Sequence, residues 1–132
     1  LEIKNMKTKL LYFLPFLFLL ASCYNQERNC AKFKTGKFEF TAEINGEKKV
    51  STFIRTEELE IETFEGKTDS AAIRWVNDCE FILEKLNPKT MADKKPVSIK
   101  IITTDGDLCT FEYGYVGDAR RERGTIKKIA DL

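Results

Sequence analysis

The sequence predicts an all-β chain, an antiparallel up-and-down meander of about eight short strands after an N-terminal signal peptide. Three observations carry this. From Phe38 onward, apolar residues recur with a period of two, the repeat of a strand half in and half out of a core. Turn dipeptides such as Asn45-Gly46 and Asp105-Gly106 punctuate that alternation at hairpin spacing. No stretch of about three helical turns beyond residue 23 carries an apolar repeat of helical period.

The leader, Met6 to Cys23, has the three regions of a secretory signal: basic Lys7 and Lys9, an apolar run from Leu10 to Leu20, and small Ala21 and Ser22 before the cysteine. The run is shorter than the roughly 20 apolar residues that span a bilayer, and Pro15 argues against a buried helix. Leu20-Ala21-Ser22-Cys23 has the form of a bacterial lipobox. In such a motif the cysteine thiol takes a diacylglycerol thioether and the preceding residues are cut away. Two or three acyl chains hold a protein at a membrane where one is marginal. The expected organisation is therefore a signal peptide at 1–22, a lipidated tether at 23–32 beginning on Cys23, and a β domain at 33–130. No Asp follows Cys23, which favours the outer membrane, on its periplasm-facing or surface side.

Phe38, Phe40, Ala42 and Ile44 form one face of the first strand. If Asn45-Gly46 is the turn, Ile44 faces Glu47 and Phe38 faces Phe53 on the return strand, Lys48 to Arg55. Leu59, Ile61 and Thr63 alternate with Glu58, Glu60 and Glu62 in a third strand, turned by Glu65-Gly66-Lys67. Ala71 to Val76, ending at Asn77-Asp78, and Cys79 to Glu84 supply the next two. A polar, proline-bounded loop follows, and then strands begin at Val97 and at Phe111 on either side of Asp105-Gly106. A charged loop from Gly117 to Gly124 leads to a last strand, Thr125 to Ile129. Eight strands suffice for a lipocalin-like small barrel whose interior holds side chains or one ligand, with an open twisted sheet as the other solution.

The chain has 132 residues, 22 basic and 21 acidic side chains, and no histidine. Removing residues 1–22 takes away Lys4, Lys7, Lys9 and Glu2, leaving 19 basic and 20 acidic groups. That balance predicts no nucleic-acid partner. Without histidine there is no Ser/His or Cys/His nucleophile pair and no His-containing metal site. With Cys23 assigned to lipid, Cys30, Cys79 and Cys109 remain in an oxidising compartment. Chain position favours a bridge between Cys30 and Cys79 with Cys109 buried, although three pairings are open on the residues alone.

The stretches CAKFKTGKFEF (Cys30 to Phe40), FEGKTDSAAIRWVNDCEF (Phe64 to Phe81) and RGTIKK (Arg123 to Lys128) resemble a family of small Gram-negative lipoproteins. Members share a Cys-x-x-Phe/Tyr-Lys-Thr-Gly-x-Phe start, a Trp-x-x-Asp-Cys centre and a Gly-Thr end. The resemblance implies pairing of Cys30 with Cys79 and no assigned activity. The label DNA topoisomerase IV sometimes given to such sequences does not suit an exported chain this short with no nucleotide-binding glycine loop.

Weighed against structural roles, the candidate sites thin out. Glu58, Glu60 and Glu62 read as a solvated strand face rather than a Ca²⁺ site, since no Asp-x-Asp-x-Asp-Gly loop is present. Arg120, Arg121, Arg123, Lys127 and Lys128 read as charges guarding an edge strand. Trp75, Phe111 and Tyr113 are the candidate ligand-lining residues, and they serve equally as core. No cofactor, metal or catalytic residue is indicated. The expected protein is a non-catalytic, membrane-anchored lipoprotein of the cell envelope, binding an envelope protein or, alternatively, carrying a small apolar ligand. Substituting Cys23→Ser should move the protein from membrane pellets to the soluble fraction and abolish palmitate incorporation; retention in the pellet would refute the anchor.

Overall fold

The computed structural model describes residues 28–132; the expected signal peptide, Cys23 and the expected tether as far as residue 27 lie outside the described residues. Eight strands follow in chain order: β1 (Gly36–Ile44), β2 (Glu47–Arg55), β3 (Leu59–Phe64), β4 (Lys67–Asn77), β5 (Glu80–Lys85), β6 (Val97–Asp105), β7 (Leu108–Tyr115) and β8 (Glu122–Ala130). Each pairs antiparallel with its successor, and β8 pairs back onto β1, closing the barrel. Closure leaves no sheet edge. The basic residues of β8 therefore guard none, and Lys128 instead turns its ammonium onto the Lys32 carbonyl at 2.7 Å.

Turn chemistry sets the first register. Asn45 and Gly46 both adopt positive φ (54° and 79°), as a type I′ turn requires. Ile44 accordingly faces Glu47 and Phe38 faces Phe53, with the two rings stacked at 5.2 Å. Two other turns lie one residue beyond the expected dipeptide. Asp105 is the last residue of β6, paired with Leu108, so the corner is Gly106-Asp107. Asn77 ends β4, and its side-chain oxygen accepts from the Cys79 N–H at 2.9 Å, placing Asp78 and Cys79 at the corner. Asx residues favour turns from more than one position, so the dipeptide alone does not name the corner.

The barrel's two ends differ. At one end lie the short connections 56–58, 78–79 and 106–107; at the other lie 45–46, 65–66 and the longer 86–96 and 116–121. The first end is plugged by a 3₁₀ turn, Cys30–Phe33, which takes up the last three residues of the stretch expected as tether. Cys30 and Phe33 are buried, and a disulfide joins Cys30 to Cys79 with Cα atoms 5.2 Å apart. A bulge in β6 between Ile101 and Thr103 puts Thr104 opposite Cys109. Buried Thr104 then accepts the Asn29 N–H at 2.7 Å. Plug and barrel share one core of Cys30, Phe33, Phe38, Phe53, Ile101, Cys109 and Ile126. Cys109 is a free, buried thiol.

The bridge spans a sequence separation of 49 residues, for which chain-entropy arguments give about 4 kcal/mol. The double variant Cys30→Ala/Cys79→Ala should melt on the order of 10–20 °C below the oxidised protein, and reduced wild type should melt with the variant. Equal melting of all three would mean that Phe33 and its contacts hold the plug unaided.

Candidate functional site: the barrel lumen

Above the plug the lumen is not filled. A cavity of about 280 Å³ opens there, and Arg55 forms its floor with 4% of its surface exposed. Arg55 reaches this position because it lies two residues past Phe53, on the same face of β2. Its guanidinium lies against the rings of Phe38, Phe53 and Phe81 at 5.0, 5.3 and 4.6 Å. Nη1 donates to the Phe33 carbonyl at 2.7 Å, while Nε and Nη2 donate to Glu60 Oε1 at 3.3 and 3.0 Å. The plug is thus tied to β2 and β3 by one buried cation, whose charge Glu60 offsets at short range.

The walls above are largely apolar: Phe40, Leu83, Ile99, Ile101, Phe111 and Ile126. Phe111 needs Gly124, its register partner on β8. A Cβ at that position would lie 2.7 Å from Phe111 Cζ and 3.2 Å from Phe40 Cε2, so only glycine lets both rings lie across the strand. Two further hollows, of about 270 and 340 Å³, continue the cavity to the rim; they share Val97 with it and with each other. Each is close to the lower bound of roughly 300 Å³ for small-molecule sites.

Strand β3 runs opposite to expectation. Its pairing with β2 sets Glu60 opposite Arg55 and Glu62 opposite Phe53, and both glutamates line the cavity. Leu59 is left outside, 37% exposed. Alternation shows that two faces differ, not which one faces the core; here a buried guanidinium and a wet rim draw the carboxylates inward. Among the described residues no cation lies within ion-pair distance of Glu62. Glu62 is exposed to solvent, yet desolvation by its surroundings, then the neighbouring Glu60 and Asp69, push its carboxyl above the ordinary range, with Lys85 opposing. The folded state therefore holds this proton more tightly than the unfolded chain does, so the ionised carboxylate is a stability cost that fades as pH falls through its titration. Lys85 is itself engaged, 3.1 Å from Asp69 and 3.3 Å from Asp93.

Of the candidate ligand-lining residues, Phe111 and Tyr113 lie in the cavity wall. The Tyr113 hydroxyl donates to Glu122 at 2.9 Å. Trp75 does not line the cavity; its ring packs on Phe81 at 4.6 Å beneath the Lys34 ammonium, with Nε1 buried and unpaired. Cys109 does line it, and burial pushes its thiol up to about 11. Arg55 is the cavity residue that sequence reading passed over, and Glu60 and Glu62 were weighed there only as a Ca²⁺ site or a solvated strand face. For Arg55 the signal was its parity with Phe53.

Among the described residues no group of three or more His, Cys, Asp or Glu side chains is placed to hold a metal ion, and no helix is long and apolar enough to cross a membrane. A scan against protein-family models and searches of curated proteins and of solved structures found no match. Removing one member of a buried ion pair costs about 3–5 kcal/mol, whereas replacing both by apolar groups is often neutral. Glu60→Met alone should therefore destabilise the barrel more than Arg55→Met/Glu60→Met in chemical denaturation. A double variant no more stable than the single would show that the guanidinium is not held by the carboxylate.

Proposed function

We propose that this domain is a lipocalin-like carrier that takes a small, mainly apolar ligand into the lumen, and that it is displayed at the outer membrane on an acyl anchor at Cys23. The observation that carries the first half is the unequal filling of the barrel. Aromatic side chains and the plug pack the closed end, while space continues from Arg55 to the rim between apolar walls. An eight-stranded barrel of this kind is wide enough either to be filled by its own side chains or to hold one small ligand. An empty apolar space costs stability through lost contacts, a cost that an occupant removes.

The second half draws on the leader and lipobox alone, and the leash from Cys23 would keep the carrier near its source of ligand. Binding rather than catalysis is the reading the side chains favour. The one free thiol in the wall is held protonated by burial, and no histidine is present to activate it. An envelope protein remains a fitting partner for exchange at the rim.

The test is titration with N-phenyl-1-naphthylamine, a neutral apolar dye that brightens out of water. Saturable binding at one site per chain is expected, and it should be lost in Val97→Trp, which sets an indole where the three hollows meet, with the melting temperature kept. Non-saturable dye uptake, or binding that survives the indole, would overturn the lumen as the site.

A further inference from the structure

Resting on the carrier reading, we infer that the lumen selects ligands whose apolar body ends in a single ammonium or comparable cationic group, seated against Glu62. The inference stands on how the charges inside the barrel are matched. Arg55, the one cation on the cavity's floor, spends three N–H groups on Phe33 and Glu60, and its faces are covered by phenyl rings. It offers an incoming carboxylate or phosphate little. Nearer the rim, Lys85 is divided between Asp69 and Asp93, and the Lys95 ammonium lies 5.4 Å over the Tyr115 ring. Glu62 is the carboxylate in this wall without such a partner.

The strand that carries it strengthens the point. β3 turns Glu60 and Glu62 to the lumen side, Glu60 half-buried and Glu62 exposed, while Leu59 lies on the outside. Glu60 has a structural reason, its pair with Arg55. Glu62 has none within the fold: it is exposed in the lining of both the cavity and the adjoining rim hollow, where desolvation, Glu60 and Asp69 disfavour its ionised form. A ligand cation would relieve this position, replacing an unmatched charge by a charge-assisted hydrogen bond. Phe111, in the same cavity lining, offers a ring that also favours a cation. An anionic head in the inner cavity would instead meet Glu62 and Glu60, while the rim carries both signs, Lys85 paired with Asp69 and Asp93, Arg120 with Asp118, and Lys95 over Tyr115.

The experiment displaces N-phenyl-1-naphthylamine with three chains of equal length, dodecylammonium, dodecanol and dodecanoate, each below its micelle concentration at neutral pH. The ammonium should compete at a concentration roughly tenfold or more below the alcohol, as befits a hydrogen bond to a charged group, with the carboxylate weakest. Glu62→Gln should bring the ammonium down to the level of the alcohol, read as the ratio of the two competitors within the same variant. Glu62→Asp, which keeps the charge, should retain the order. Equal competition by all three chains, dodecanoate as the best competitor, or an ammonium preference that survives Glu62→Gln would each overturn the cationic ligand class while leaving the lumen a carrier site. Failure of the dye and of all three chains to bind would instead sink the carrier reading itself.

Discussion

The barrel is organised by one buried guanidinium. A charge with 4% exposure persists inside a fold only if its hydrogen bonds and counter-charge are supplied at short range. Arg55 obtains them from the plug and from several strands. The plug gives the Phe33 carbonyl, β3 gives Glu60, and the rings of Phe38, Phe53 and Phe81 cover its faces. Its position therefore fixes where the packed end stops and where the hollow begins. It also fixes the hand of β3: with Glu60 turned to Arg55, parity carries Glu62 into the lumen as well.

That coupling explains a wall of mixed character. Around most of the circumference the inner face is aliphatic and aromatic, as in any small barrel, but the β3 sector is acidic. Gly124 shows the same economy of space on the opposite side, where the absence of a side chain lets the Phe40 and Phe111 rings approach β8. The hollow is thus not a leftover of poor packing. It lies between rings seated against a glycine and carboxylates committed by a buried cation.

The parts of this architecture set by short-range chemistry were legible in the residues. Asn45-Gly46 fixed a turn type, and the turn type fixed the facing of Phe38 and Phe53 several residues away. What depends on distant partners was not. Closure is a pairing of β1 with β8 across most of the domain, and local alternation carries no trace of it. The plug was hidden because CAKF is too short to show a period, although its burial of Phe33 and Cys30 follows from the same disulfide that the resemblance implied. The β3 glutamates were not placed on the lumen side, where Glu60 is half-buried and Glu62 stays exposed, because periodicity separates faces without orienting them; only the Arg55 partnership does so. The aromatic candidates divided accordingly, with Phe111 and Tyr113 at the hollow and Trp75 spent on packing near the plug.

The chain enters the barrel through its sealed end, where Asn29 is held by Thr104 and Cys30 by Cys79. With the anchor proposed at Cys23, the domain would hang like a cup by its base. Cargo of the proposed carrier would then pass over the loops at 86–96 and 116–121, at the end away from Asn29, and differences in their length would alter the doorway while the base stays unchanged.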